Sequence, residues 1–169
     1  ISDMEWLEPE KMAVFDERLK EFIEEYIINE DEPRQRDFCI GYMVHLLTDK
    51  VNHATVRQRI LKVLAPEGGG GTKQMIPVFV NELEAMDCYL IRHNPELSAL
   101  FYTVMEIPVT NCMPGYIEAE YMEKSLKWWK YEYIPRIAER KPEILQYHEI
   151  DEFIAQATEY ILKEIDCIT

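Results

Sequence analysis

Glycine is almost missing from this 169-residue chain: there are six, and four of them stand together at Gly68 to Gly71. No Asn-Gly or Asp-Gly pair occurs, and alternating runs rich in Val, Ile and Thr are absent, which excludes a sheet of any consequence. Long apolar runs are missing too. None approaches the roughly 18 to 20 residues a membrane span needs, and Ile1 to Glu8 lacks the basic-then-apolar order of a signal peptide. The four cysteines, Cys39, Cys88, Cys112 and Cys167, form no CxxC pair, and three lie in apolar-periodic segments. That usage favours reduced thiols behaving as small hydrophobes, and hence a cytoplasmic setting. Basic residues are short as well, 18 against 32 acidic, for a formal net charge of −14. Such a field repels phosphate backbones and anionic membrane surfaces, so duplex nucleic acid is excluded as a sequence-blind partner. The first residue is Ile rather than Met, which fits removal of residues upstream and leaves secretion open.

What remains reads as helix. The length predicts a single helical domain over 1–169, and 47% hydrophobic residues suffice to bury about two thirds of the unfolded surface. A first helix is expected from Pro9 to about Asn29, with Met12, Phe15, Leu19, Phe22, Ile23 and Tyr26 on one face. The acids Glu30 to Glu32 and then Pro33 open a second, about 33–64, whose expected stripe is Phe38, Tyr42, Leu46, Val56, Ile60 and Val63. Residues 66–73, with the glycine cluster, read as a surface loop; no GK[ST] ending follows and no strand precedes, so a phosphate-cradling role is disfavoured. A third helix is expected from Pro77 to His93, and a fourth from Asn94-Pro95 to about Glu106. A fifth runs from about Glu118 to Ala138, kinked or ended by Pro135, and a last one covers about Glu149 to Ile165. The expectation is thus an all-α bundle of about six helices.

Chemistry concentrates in the second helix. His45 and Asp49 are four residues apart, hence on one helical face, and stand next to the expected apolar stripe. Turned inward, they need a compensating partner, because an unpaired buried charge costs several kcal/mol. A divalent ion such as zinc can bridge imidazole and carboxylate at this spacing; a structural hydrogen bond is the bland alternative, and spacing alone favours it. Asp87 sits within the apolar face of the third helix and is expected to point inward, as a third ligand or as an acceptor for His45, with Glu84 in reserve. His93 fits a helix C-terminal cap, and His148 with Glu152 fits an ordinary acidic first turn. Trp128, Trp129, Tyr131 and Tyr133 could stack on a ligand, although their helical spacing makes core packing the default. No serine or cysteine has a neighbouring histidine in a recognisable nucleophile motif.

The stretch FCIGYMVHLLTDKVNH, Phe38 to His53, resembles the signature helix of the zinc-dependent phospholipase C family, an all-α fold shared with single-strand-specific zinc nucleases. The uncharacterised bacterial hydrolases of that family are similar over more of the chain, through Val80 to Leu97, Val109 to Trp129 and Glu149 to Leu162. The resemblance implies that His45 and Asp49 are metal ligands, with Asp87 a weaker third. That branch also carries an upstream histidine and a Pro-Asp step that this chain lacks, which implies either a missing N-terminal segment or a degraded site.

Two readings follow. In the first, zinc held by His45, Asp49 and Asp87 lowers the pKa of a bound water towards 7 for attack on a small phosphoester. In the second, a helical scaffold keeps these residues as a polar network, while exposed apolar side chains serve a partner or a homodimer. The first requires both His45 and Asp49 to face inward.

Overall fold

The computed structural model describes residues 9–64, 72–109, 117–137 and 140–168. It is all-α, with no strand among the described residues. The glycine cluster and Cys112 lie outside them. No helix among them is long and apolar enough to cross a membrane. The chain, one domain by length, divides into two compact units: residues 1–76 with 145–169, and residues 77–144.

The first unit holds four helical stretches. α1 spans Pro9–Ile23 and widens into a π-helical segment, Glu24–Ile28. α2, Pro33–Ala54, starts where Pro33 and the acidic cluster predict, with the Glu32 carboxylate accepting from the Gln35 amide at 2.6 Å. The expected 33–64 helix is broken at Thr55, so that α3 covers Val56–Leu64. The Thr55 hydroxyl donates back to the Val51 carbonyl at 2.7 Å, and its backbone leaves helical geometry at φ −117° and ψ −85°. α8, Tyr147–Asp166, is fixed at its start by Glu149, which accepts from the Gln146 amide at 2.8 Å and from Arg59 of α3 at 2.7 Å.

Buried Cys39, Met43 and Leu47 of α2 form the centre of this unit, with Ile150, Ala157 and Ile161 of α8 and Ile60 of α3. The stripe on α2 is therefore displaced by one residue from the expected Phe38, Tyr42 and Leu46, which are only half-buried. Neighbouring rows at four-residue spacing differ by about 100° around a helix. Both rows are apolar here, and packing against α8 decides which is central. Lys50 ties three helices together, donating to Asp16 of α1 at 2.5 Å and to Tyr160 of α8 at 3.3 Å.

The second unit contains α4 (Thr72–His93) from Pro77 onward, then α5, Pro95–Met105, and α6, Ala119–Trp128. α4 starts earlier than expected, which leaves Pro77 inside the helix rather than in its first turn. Asn94 caps α5, accepting from the Leu97 amide at 2.9 Å, with Pro95 in its first turn as the sequence implies. After α6 the helix widens into a second π-helical segment, Trp129–Tyr133, and ends in α7, Ile134–Ile137. This widening falls just before Pro135, where an α-helix would lose a hydrogen bond and crowd the preceding turn. Cys88, Tyr133 and Ile137 make the core, with Ile91, Trp129 and Ile134 packed on it.

Candidate functional site

His45 and Asp49 lie on α2, and their side chains approach one another at 3.6 Å between Nε2 and Oδ2. They share a face, but not the inner one: the side chains are 64% and 49% exposed. This corrects the expectation that both turn inward, and the displaced stripe is the reason. His45 is two residues from both Met43 and Leu47, and Asp49 two from Leu47, which places each roughly 160° around the helix from the buried row. The separation is beyond hydrogen-bond range, and an exposed pair of this kind contributes little to stability. Tyr42 stands beside His45, ring centroids 6.1 Å apart, and continues to Phe22 of α1 at 5.6 Å.

The next candidate donor on this helix is already engaged. His53 Nδ1 lies 3.2 Å from Arg57 Nη1. A guanidinium has only donors, so this nitrogen is the acceptor and carries no proton.

Asp87 does turn inward, into the core of the second unit, where Tyr133 donates its hydroxyl proton to Oδ2 at 2.5 Å. Burial pushes the Asp87 carboxyl above its ordinary value, the Tyr133 hydrogen bond opposes this, and the neighbouring Glu84 adds to it. Burial and then the Asp87 partner likewise raise Tyr133. Glu84, the reserve acid, is buried and paired, with Arg136 Nη2 at 2.6 Å and Arg140 Nε at 3.3 Å. Arg136 also lies over the rings of Trp128 and Tyr133, at 5.5 and 5.4 Å from their centroids.

A third acid of α4 escaped the sequence reading. Glu82 is fully buried and accepts from two backbone amides of the chain after α7, Glu143 at 2.8 Å and Ile144 at 3.1 Å. The available signal was its place three and four residues before Ala85 and Met86, an acid in a small apolar row. The other sequence candidates are ordinary. His93 Nδ1 lies 2.9 Å from the Tyr89 carbonyl and its ring stacks on Tyr89, as a C-terminal cap would. His148 is exposed in the first turn of α8; of the aromatic cluster, Trp128, Trp129 and Tyr133 pack against one another and Phe101, whereas Tyr131 is exposed, against the expectation of core packing.

Zinc needs at least three protein donors around one point. Among the described residues no group of three or more His, Cys, Asp or Glu side chains could hold a metal ion. His45 and Asp49 supply two donors on an open surface, and Asp87 already holds a tyrosine proton, so the residues described do not fit a zinc centre. No protein-family model, curated protein or solved structure matches the chain. The likeness of Phe38 to His53 to the phospholipase C signature therefore rests on that segment's sequence alone.

Proposed function

We propose that this chain is a non-enzymatic helical interaction module. The observation that carries the reading is α5. It is an apolar helix with a single charged side chain, Glu96, yet none of its residues is buried. Leu100, Tyr102 and Val104 stand in water, and Ile107 does so just beyond its end. Apolar side chains exposed along a helix and stripped of charge are what a partner surface requires. Glu82, Glu84 and Asp87 serve this module by fixing the second unit internally, through directional contacts from α4 to Tyr133, Arg136 and the Glu143 amide. Cys39 and Cys88 are buried free thiols, which suits a reducing, cytoplasmic setting.

The test is metal analysis of protein purified without chelator, together with turnover of a simple phosphodiester. The expected result is no stoichiometric zinc and no turnover above background. Zinc at one equivalent, lost in both His45→Ala and Asp49→Ala, would replace this reading with the rival. That rival is a zinc-dependent hydrolase of a small phosphoester with His45, Asp49 and Asp87 as ligands. Its support is the 3.6 Å approach of two suitable donors on an accessible face.

A further inference from the structure

In the first unit, beside the break at Thr55 and where α3 packs on α8, lies a hollow of about 140 Å³. Its floor is apolar: Val56 and Leu145 are buried and Phe153 is half-buried. The rest of its lining is polar and of both signs, with Arg59 from α3 and Glu149, Glu152 and Gln156 from α8. The three α8 residues recur at three- and four-residue spacing, so one face of that helix supplies them all.

These groups differ in what already engages them. Glu149 is committed, one oxygen accepting from the Gln146 amide and the other from Arg59 Nε. Arg59 is thereby held in place by a bond that uses one of the five N–H donors of a guanidinium. The Glu152 and Gln156 side chains are exposed and make no hydrogen bond or ion pair among the described residues. A simple anion in the hollow would meet the unneutralised Glu152, and a simple cation would leave the remaining Arg59 donors without an acceptor. A molecule carrying both signs satisfies both groups. Size narrows the choice further. A water needs about 10–15 Å³ of such space, so the hollow takes on the order of ten non-hydrogen atoms, well short of the roughly 300 Å³ where drug-sized sites begin.

The geometry points to this hollow as a binding site for a small zwitterion with an apolar side chain, an α-amino acid of about the size of leucine. Its carboxylate lies on Arg59, its ammonium on Glu152 and its side chain over Val56, Leu145 and Phe153. A guanidinium already fixed by Glu149 gives up little further rotamer freedom when it meets a carboxylate, which lowers the cost of binding. The site belongs to the first unit and stands whether or not α5 meets a partner.

Titration calorimetry of the full chain at neutral pH with leucine tests the assignment, the expected Kd being on the order of 0.1–1 mM. Three further probes each remove one feature: leucinamide lacks the carboxylate, 4-methylpentanoate the ammonium and glycine the apolar side chain. Each should bind at least about tenfold more weakly than leucine. Glu152→Gln, which changes an exposed side chain without partners, should keep its helix content by circular dichroism and weaken leucine at least about tenfold, while 4-methylpentanoate, having no ammonium to lose, binds no worse than to the wild type. No binding of leucine up to about 20 mM overturns the inference, as do four probes that bind alike or leucine binding that the folded variant retains in full. The four probes need only the wild type, so they decide the matter even where Glu152→Gln does not fold.

Discussion

The two units solve the problem of burial in opposite ways. The first, with 21 acidic and 11 basic residues, has no buried acid among those described and fills its centre with Met43, Leu47, Ile60 and Ile150. The second, with 11 acidic and 7 basic residues, draws Glu82, Glu84 and Asp87 inward and leaves Leu100, Ile107, Tyr121 and Tyr131 in water. An apolar core is tolerant of detail, because many small contacts share the load. A core built on buried carboxylates depends on a few directional bonds, each of which is costly to leave unmade. The second unit is thus specified by fewer groups, and its remaining apolar surface is free for contact with another molecule.

The contrast can be broken at five places. Leu47→Ala removes a fully buried side chain from the first unit and should cost about 3 kcal/mol in chemical denaturation, whatever the pH. A loss under 1 kcal/mol would mean that this core is looser than its burial implies. Glu82→Ala leaves two backbone amides without their acceptor and should cost about 2 kcal/mol. Hydrogen exchange should localise that loss to the amides of Glu143 and Ile144, whereas Leu47→Ala leaves them protected.

The pH response sharpens the comparison further, because Asp87 of the second unit and Glu149 of the first are shifted in opposite directions. Asp87 is raised, so the folded state binds its proton more readily than the unfolded chain. Its contribution therefore improves as pH falls from neutrality towards the ordinary carboxylate range and is least favourable above its folded pKa. Glu149 is lowered: burial pushes it up, but the Gln146 amide and Arg59 more than offset this. Its contribution is present above the ordinary carboxylate range and is lost as pH falls through the lowered value. Asp87→Asn should accordingly flatten the stability profile on its neutral side, and Glu149→Gln on its acid side. Identical profiles for the two variants would contradict the assignment. The smallest effect belongs to Gly41, where an added Cβ meets nothing within 4 Å. Gly41→Ala should raise stability by about 0.5–1 kcal/mol, since glycine in an exposed helix interior gives up backbone entropy for no packing return.

Much of the fold was legible because helix ends carry local chemistry. Pro33 after three acids and Pro95 after Asn94 mark their starts through bonds made within three residues. The buried row of α2 was not legible, because Phe38, Tyr42 and Leu46 are as apolar as Cys39, Met43 and Leu47. The choice between the two rows is made by α8, more than a hundred residues away in sequence. The error carried straight into the candidate site, since the same one-residue displacement turns His45 and Asp49 outward. Asp87 was readable as an inward acid, but its tyrosine partner lies 46 positions on. Glu82 serves backbone amides, which leave no mark on the sequence at all.

The widened turn at Trp129–Tyr133 carries one consequence for reading this helix in any related chain. A π turn takes in one residue more than an α turn, so side chains beyond it are rotated by about 100° relative to those before. Met122 and Leu126 keep one angular frame while Tyr133 and Ile137 obey another, and a single periodic wheel drawn through both smears the aromatic belt around the whole circumference. Shortening the segment by one position would rewind everything downstream and swing the phenol away from its acid without altering any chemical group.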